Sequence, residues 1–273
     1  MINRIFVVKK PVFISSNGYL RKIKRRYKVK KAGFSGTLDP FAKGTLIVAF
    51  GQYTKLFRFL KKKRKTYKAT LWLGAKSDSL DIENFEGVIK TSKIEIDKII
   101  TVLNSLLGKI EYIPPKYSAK SINGERAYKL AREGKEVKLQ SIESEIFSIK
   151  LLNYSHPFIS FEIEVSEGSY IRSFGEIIAK NLNTTGVLSS LNRVSEGDFK
   201  FENEKALDPL NFLDVDENFY LKDIEDIKLG RKLKREDFKN QDIGTYLIKL
   251  EKYFSIIDIN DEKVSYFLNR VEL

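Results

Sequence analysis

The chain has 273 residues, of which 42% are hydrophobic and 31% are charged, a composition typical of a globular protein that can bury a sizeable core. It contains no cysteine and a single histidine, His156, which excludes disulfide bonds, a thiol nucleophile and metal sites built from several histidines, and leaves one residue for any Ser-His-Asp triad. The excess of 49 basic over 36 acidic residues indicates a polyanionic partner. No apolar run approaches the ~20 residues that span a bilayer, and no secretory signal is recognisable, so we expect a cytoplasmic protein without membrane association.

Positive charge is concentrated at the start of the chain. Residues 1–77 hold 21 of the 49 basic residues and only one acidic residue, Asp39. The densest runs are RKIKRRYKVKK at 21–31 and KKKRK at 61–65. Such a distribution is typical of nucleic-acid binding, because each phosphate that a cation neutralises releases condensed counterions. A solvated basic face and a membrane-surface patch are the alternatives.

Apolar periodicity predicts the main elements in chain order. Strands are predicted at Ile5–Val8, Thr45–Phe50, Thr66–Leu73, Ile146–Leu152, Ile159–Val165 and Val187–Val194. Helices are predicted from a cap at Ser16 or Asn17 to Tyr27, at Ile96–Leu107, at Ala127–Arg132, and at Ile171–Ile178 with Ser173 and Glu176 at the spacing of a capping box. Because these elements show no regular βαβ rhythm, we expect an α+β fold with a central mixed or antiparallel sheet flanked by helices.

A second, smaller unit is predicted at the end of the chain. The segment 203–220 is acidic and contains a proline, which indicates a boundary. Beyond it, Tyr246–Leu250, Phe254–Ile259 and Val264–Leu268 are predicted to be strands. We therefore expect one domain at 1–205 and a small β-rich module at 215–273.

Asp39 is the strongest candidate for a catalytic group. It lies in KKAGFSGTLDPFAKGTLIVAFG (30–51), a glycine-rich loop that leads into an apolar strand, and Pro40 restricts its backbone. An aspartate before proline is also common in ordinary turns. As the one carboxylate among 21 cations, however, Asp39 is expected to stay ionised. A segment selected only for phosphate binding has no reason to retain an anion there.

Other candidates follow further along the chain. Arg172, in EGSYIRSFGE at a helix start, is disfavoured by the helix dipole unless it has an anionic partner, for which Asp39 is one choice. Tyr67 is either an ordinary strand aromatic or a stacking platform for a base. Residues 113–137 form a basic, turn-rich insertion that either clasps nucleic acid or simply connects two elements. Because no glycine-rich phosphate loop is present, no nucleotide cofactor is expected.

Several segments together resemble the TruB family of tRNA pseudouridine synthases. They are KKPVFISSN (9–17), GFSGTLDPFAKGTLIVAFGQYTK (33–55), KTYKATLWLGAKSDSLD (65–81), IPPKYSAKSINGERAYKLAREGKEV (113–137) and GSYIRSFGEIIAKNLNTTGVLSSLNRV (168–194). The resemblance covers roughly residues 3 to 200. It implies the pseudouridine-synthase fold, and it implies that 113–137 is the insertion that clasps the RNA loop. The C-terminal module is similar only loosely to the PUA domain of the family, so we expect a divergent or truncated version.

The resemblance also implies roles for individual residues. Asp39 matches the catalytic aspartate, Tyr67 the base-stacking tyrosine and Arg172 the arginine that pairs with the aspartate. The expected substrate or RNA contacts are Lys10, Lys31, Phe34, Tyr117, Leu191 and Arg193, with Leu191 matching the leucine that lines the pocket. Two positions depart from the family pattern: Phe34 replaces a histidine that organises the RNA loop, and Asn192 replaces a common arginine.

The implied reaction is conversion of uridine to pseudouridine at position 55, in the TΨC loop of tRNA. It requires no metal and no cofactor, and the T-arm of tRNA is the expected partner of a monomeric enzyme. Two alternatives remain: a tRNA-binding folding chaperone without essential catalysis, and a synthase subunit that is guided by a separate RNA.

Overall fold

A single mixed sheet forms the centre of the computed structural model, which describes residues 3–118, 120–122, 124–135, 137 and 139–273. Its strands run in the order β1-β3-β12-β4-β11-β10-β7, and β2 also pairs with β3. The strands of the described chain are β1 (Arg4–Lys10), β2 (Ala32–Ser35), β3 (Lys43–Phe50), β4 (Arg64–Leu73), β5 (Ala75–Ser77), β6 (Phe85–Val88), β7 (Gly108–Tyr112), β8 (Ser121–Ile122), β9 (Glu125–Arg126), β10 (Ile142–Ser155), β11 (Phe158–Ser166), β12 (Gly186–Glu196), β13 (Asp216–Glu217), β14 (Gly244–Lys249), β15 (Tyr253–Ile259) and β16 (Val264–Glu272).

The helices are few and short. They are α1 (Ser16–Arg26), α2 (Ile96–Asn104), α3 (Ala127–Arg132), α4 (Ile171–Asn181) and α5 (Glu225–Lys228), with 3-10 helices at Gly51–Phe59, Ile82–Asn84, Pro209–Phe212 and Arg235–Asp237. The expected α+β architecture with a central mixed sheet is confirmed. Within the main sheet, β12 and β3 are parallel, and the other pairs of neighbouring strands are antiparallel.

Side-chain alternation on the strands explains where the helices pack. In β4, Tyr67, Ala69, Leu71 and Leu73 are buried, while the alternate positions Thr66, Thr70 and Trp72 are half-buried and Lys68 is exposed. The buried side chains form one core with Phe161 of β11 and with Ile99 and Phe174 of α2 and α4. Helix α1 packs Ile23 against β1 and β3 in a separate cluster. The apolar periods of the sequence therefore correspond to these helix and strand faces.

The two predicted helix caps are wrong in detail. Ser15, not Ser16 or Asn17, caps α1 by accepting a hydrogen bond from the Gly18 amide at 3.0 Å. The Ser16 hydroxyl bonds instead to the backbone of Leu38. Helix α4 has no side-chain cap, and Ser173 lies inside the helix, so its hydroxyl donates to the Ile113 carbonyl and no capping box forms.

The C-terminal residues form a separate sheet that shares a core with one side of the main sheet. This sheet has the order β13-β14-β15-β16, with β14, β15 and β16 antiparallel. One hydrophobic cluster joins Phe254, Ile256 and Leu268 of this sheet to Ile47 of β3 and Leu56 of the first 3-10 helix. The module is thus packed on the face of β1 and β3 opposite α1. In the described part of the chain, no helix is long and apolar enough to cross a membrane.

Candidate active site

Asp39 lies in the loop between β2 and β3, and its neighbours fix this loop from several sides. The buried Ser16 hydroxyl accepts from the Leu38 amide and donates to the Leu38 carbonyl, each at 2.9 Å. The Asp39 carbonyl accepts from the Ala42 amide at 3.1 Å, which closes the turn. The carboxylate is therefore presented on an anchored turn, with about a third of its side chain exposed.

Lys10 anchors the next residue of the loop. Its side chain is buried, and its ammonium donates to the carbonyls of Pro11, Ile14 and Pro40 at 2.9, 2.7 and 3.3 Å. Burial lowers the pKa of Lys10 to about 8, against the opposing pull of the Asp39 charge. The ammonium N–H groups of Lys10 thus donate to protein carbonyls in this structure. The RNA contact expected of Lys10 stays a prediction.

Arg172 is the centre of an ion-pair network. Its Nε lies 2.9 Å from Asp39 Oδ2, and its Nη1 lies 3.2 Å from Asp81 Oδ2. It also donates to the carbonyls of Ser79 at 2.6 Å and Tyr117 at 2.8 Å. A guanidinium presents several donors in a rigid fork, and this fork joins the Asp39 loop to two other segments. The place of Arg172 at a helix start predicted one anionic partner, and the geometry supplies two.

Asp81 was missed by the sequence reasoning. It is buried, it accepts from the Ser79 hydroxyl at 2.6 Å and the Glu83 amide at 2.9 Å, and burial raises its pKa despite the nearby Arg172. The signal available was a carboxylate in the polar KSDSLD segment just after a buried strand. Its role here is to hold the guanidinium so that one edge remains for Asp39.

A second buried charge network lies beneath Tyr67. The Tyr67 ring is buried beside Arg193, and burial raises the pKa of its hydroxyl, which therefore stays protonated at neutral pH. Arg193 donates to the carbonyls of Thr45 and Gly36, each at 2.8 Å, and its Nη2 lies 3.3 Å from the buried Glu196 carboxylate. Glu196 also lies 3.4 Å from the Lys65 ammonium. Glu196, like Asp81, was not among the residues predicted from the sequence.

Two glycines are required where β12 meets the Asp39 loop. Gly36 has φ +66°, and a Cβ there would lie 2.7 Å from a Glu196 oxygen. Gly44 has φ +114°, and a Cβ there would lie 2.2 Å from the Arg193 carbonyl oxygen. Both conformations favour glycine and both positions lack room for a side chain. The glycines of the loop thus permit the close approach of Arg193 and Glu196.

Asp39 lines two cavities. One, of about 300 Å³, is lined by Tyr67, Leu191 and Arg193 together with Asp39 and Arg172. The other, of about 680 Å³, is lined by residues of three segments that meet at Asp39: the start of α1, residues 79–84, and the insertion with Tyr117, Tyr128 and Arg132. The structure therefore brings Tyr67, Arg172, Leu191 and Arg193, all predicted from sequence, to the smaller cavity and Tyr117 to the larger one.

The other predicted contacts lie apart from these cavities. Phe34 is half-buried in β2 and packs on the cluster beneath α1. Lys31 is exposed just before β2, and Asn192 of β12 is half-buried with its side-chain oxygen near Gly44. Within the predicted clasp at 113–137, residues 119, 123 and 136 lie outside the described part of the chain.

The structure divides the basic residues into paired and free groups. In the run 61–65, Lys62 pairs with Glu167 at 2.9 Å, Lys63 with Asp214 at 2.7 Å, Arg64 with Glu164 at 3.8 Å and Lys65 with Glu196 at 3.4 Å. Carboxylates from later in the chain thus neutralise most of this run.

The basic run at 21–31 behaves differently. Arg26 forms an ion pair with Glu204. Among the described residues, no carboxylate lies within ion-pair distance of Arg21, Lys22, Arg25 or Lys28, which all lie on or just after α1. These four residues, together with Lys24, Lys30 and Lys31, form a positive surface on and just after α1, which we call the α1 surface.

Comparison with known proteins identifies the family. The pattern of the TruB family pseudouridylate synthase N terminal domain matches residues 24–171. The chain belongs to the TruB family. It is 54% identical over 270 residues to the tRNA pseudouridine synthase B of Sulfurovum sp. (strain NBC37-1), covering 99% of this chain and 98% of that protein. It is 52% identical over 271 residues to the enzyme of the same name from Campylobacter concisus (strain 13826), covering 99% of each. The predicted pseudouridine synthase is thus confirmed at the level of family and enzyme class.

Solved structures agree on the fold. A chain of a Cbf5-Nop10-Gar1 complex matches with a TM-score of 0.68 at 18% identity, over 99% of this chain and 84% of the other. A chain from an H/ACA RNP bound to a substrate RNA containing 2'-deoxyuridine matches with a TM-score of 0.67, also at 18% identity, over 99% of this chain and 85% of the other. At this identity, the likeness establishes that this TruB family member has their fold.

Proposed function

We propose that this TruB family member isomerises uridine to pseudouridine at position 55 in the TΨC loop of tRNA, with Asp39 as the catalytic carboxylate. The observation that carries the proposal is the ion pair between Arg172 and Asp39 at the rim of a cavity that also contains Tyr67 and Leu191. Family membership supplies the reaction, and the anchored carboxylate is the group that the reaction needs.

In this reaction the bond between N1 of uracil and C1' of ribose breaks, and a bond between C5 and C1' forms. The C5 hydrogen leaves as a proton and N1 gains a proton, so nothing is oxidised and no group is lost. The bonds and protons balance without a metal or a cofactor. That the enzyme uses neither stays a prediction. Asp39 acts either as a nucleophile on the sugar or as an electrostatic and proton-transfer partner. Both roles require the ionised carboxylate that Arg172 orients.

The target base must leave its stack before it reaches Asp39, at a cost of a few kcal/mol. Stacking on an aromatic ring contributes ~1–3 kcal/mol per base, and Tyr67 is an aromatic side chain that lines the smaller cavity. We assign Leu191 to the apolar wall of the same pocket. Lys10 and Arg193 then act by fixing the Asp39 loop, while Lys31, Phe34 and Tyr117 are proposed to contact the RNA outside the pocket.

The pH dependence of Lys10 is a testable consequence. The pKa of Lys10 is about 8 in the folded protein and 10.5 in the unfolded chain. Below pH 8 the buried ammonium is charged, and its burial lowers the free energy of unfolding. Between about pH 8 and 10.5 the unfolded chain binds more protons, and this group's contribution to stability rises with pH. A neutral amine nevertheless has fewer donors than the three carbonyls need, which loosens the Pro40 loop. We expect the rate of pseudouridine formation to fall above pH 8 while this residue does not promote unfolding.

The measurement is the rate on tRNA and the thermal unfolding midpoint, both from pH 6.5 to 9.5. Lys10→Met should be slower throughout, by roughly 10-fold from the unsatisfied carbonyls, and should lack the alkaline decline. Lys9→Met removes the adjacent exposed lysine and should keep the wild-type profile. An alkaline decline that survives in Lys10→Met would assign it to another group.

The α1 surface is proposed to bind the tRNA backbone. We expect the double variant Lys22→Gln/Arg25→Gln to weaken tRNA binding and to lower the slope of log affinity against log salt by ~0.7–0.9 for each phosphate that is no longer neutralised. The matched variant Lys63→Gln/Arg64→Gln removes the same charge from residues already paired with Asp214 and Glu164, so it should change the slope much less. Titrations between 50 and 200 mM salt distinguish the two, and equal slopes for both variants would refute the assignment.

Further features belong to this proposal. The enzyme is proposed to work as a monomer in the cytoplasm, where its tRNA substrate is present. The module at 215–273 is proposed to be a divergent PUA-like unit, and its shared core with the first domain supports a fixed orientation relative to the catalytic cleft. The domain boundary near 203–220 and the clasping role of 113–137 also stay predictions.

The decisive cellular experiment compares tRNA from cells with and without the gene by chemical mapping of pseudouridine. The proposal expects loss of the T-loop signal on deletion, with restoration by the wild-type gene and not by Asp39→Asn. A T-loop signal that persists in the deletion strain would contradict it. If deletion slows growth, and the Asp39→Asn gene restores growth without restoring pseudouridine, the protein also acts as the tRNA-folding chaperone of the alternative hypothesis.

A further inference from the structure

Phe13 combines two properties that a purely structural loop residue would not need. Its side chain is 72% exposed, and its backbone has φ +59°, in the left-handed region that bulky residues rarely adopt. Glycine would fit this conformation without strain, and a polar residue would be better hydrated. A large apolar ring held to solvent on a strained backbone is a feature found at functional sites.

The position of Phe13 is fixed relative to Asp39. The Phe13 amide donates to the Pro40 carbonyl at 2.7 Å, so the two turns are joined one residue from Asp39. The Lys10 ammonium binds the carbonyls on both sides, at Pro11 and Ile14, and also that of Pro40. The turn is therefore rigid, which reduces the conformational entropy lost when a ligand binds the ring.

The surroundings of Phe13 favour a nucleobase as the ligand. The larger cavity beside Asp39 begins at Ser15, two residues along, and the cations of the α1 surface follow. An exposed apolar ring that is joined to the Asp39 loop and precedes a cationic helix in the chain suits an RNA strand, in which bases and phosphates alternate. Phe34, by contrast, is half-buried in the cluster beneath α1.

We propose that Phe13 is an RNA-stacking residue that holds a nucleobase adjacent to the target uridine. The inference rests on the proposed function, since it takes an RNA loop as the substrate. The ring stacks against the neighbouring base when the target enters the smaller cavity and so keeps the opened loop from closing. Tyr67 and Phe13 thereby contact different bases, one inside the pocket and one at its rim.

The test measures binding of the full-length protein to a T-arm stem-loop RNA and to the same RNA lacking the base on either side of the target. Phe13→Gly and Phe13→Leu should each weaken binding to the intact RNA by about 5- to 150-fold, the range expected for one stacked base. Phe13→Tyr should bind like wild type. Val12→Ala, a change at the exposed neighbour in the same turn, should remain within about two-fold of wild type.

A double-mutant cycle decides whether the ring and the base contact each other. Wild type should bind the RNA that lacks the stacked base more weakly than it binds the intact RNA. Phe13→Gly should bind these two RNAs with equal affinity, because it makes no contact with that base. Additive losses for both abasic RNAs, or wild-type binding by Phe13→Gly, would overturn the inference. Phe13→Gly should also unfold at or above the wild-type temperature, since glycine relieves the strain, and a clear drop would assign Phe13 a structural role. RNA-binding affinity therefore tests the role of Phe13, while the pseudouridine yield of the wild-type protein tests the proposed function.

Discussion

Asp39→Asn is expected to abolish pseudouridine formation, with a rate reduced roughly 10³-fold or more, while tRNA affinity stays within a few-fold of wild type. Asparagine has nearly the same shape, and the turn around it is fixed by Ser16, Lys10 and the backbone bond to Ala42, so the loop should keep its structure. The amide lacks the negative charge that either catalytic role needs. The loss should therefore appear in the chemical step.

The measurement is a single-turnover rate with enzyme in excess over tRNA, beside a binding titration under the same conditions. Asp214→Asn is a useful control, because it also removes one carboxylate that is paired with a cation but lies outside both cavities. It should retain the wild-type rate. Substantial turnover by Asp39→Asn would remove Asp39 from the catalytic role, and a large loss of affinity would show that the charge mainly organises the site.

Arg172→Met is expected to impair both catalysis and stability. The change leaves the buried Asp81 and the Asp39 carboxylate without their shared cation, and it leaves the carbonyls of Ser79 and Tyr117 without a donor. Removing one partner of a buried ion pair typically costs about 3–5 kcal/mol, and we expect a loss of that size in the free energy of unfolding. The rate should fall by roughly 10²- to 10³-fold because Asp39 is no longer oriented.

Urea unfolding and the single-turnover rate measure the two effects of Arg172 separately. Arg172→Lys keeps the charge but cannot serve four acceptors from one fork, so it should be intermediate in both. In a double-mutant cycle, Asp39→Asn should cost less stability in the Arg172→Met background than its single effect predicts, or even restore some. Independent effects on stability would mean that the pairing contributes little to the fold.

Much of the fold follows from local apolar periodicity. The six strands predicted within residues 1–205 each lie within an observed strand. Burial alternates along β4 and β11, whereas β1 and β3 are buried on both faces, so the first pair shows alternation and the second pair shows continuous apolar runs. The four-residue β2 and the strand β7 were not predicted, because such short segments carry too few periodic positions. The helix predicted at 96–107 ends at Asn104, since Gly108 with φ +94° already starts β7.

The site was predictable only in part. Asp39 could be selected because it is the single anion in a cationic segment, a property that is visible without any partner. Asp81 and Glu196 were harder to select, because each lies in a segment with other polar or charged residues and forms an ion pair with a residue far away in sequence, Arg172 for Asp81 and Lys65 for Glu196. Distant partners also change the interpretation of the basic run 61–65. From the sequence it resembles a phosphate-binding site, but in the structure carboxylates from later in the chain pair with most of its residues.

We propose that this chain alone, without a guide RNA, converts one T-loop uridine by means of Asp39. The most direct measurement incubates the purified protein with an unmodified tRNA transcript, without any other RNA, and maps and quantifies pseudouridine. We predict one pseudouridine per tRNA, at position 55, from the wild-type protein and none from Asp39→Asn. Absence of product from the pure wild-type protein, or product from Asp39→Asn, would contradict this claim.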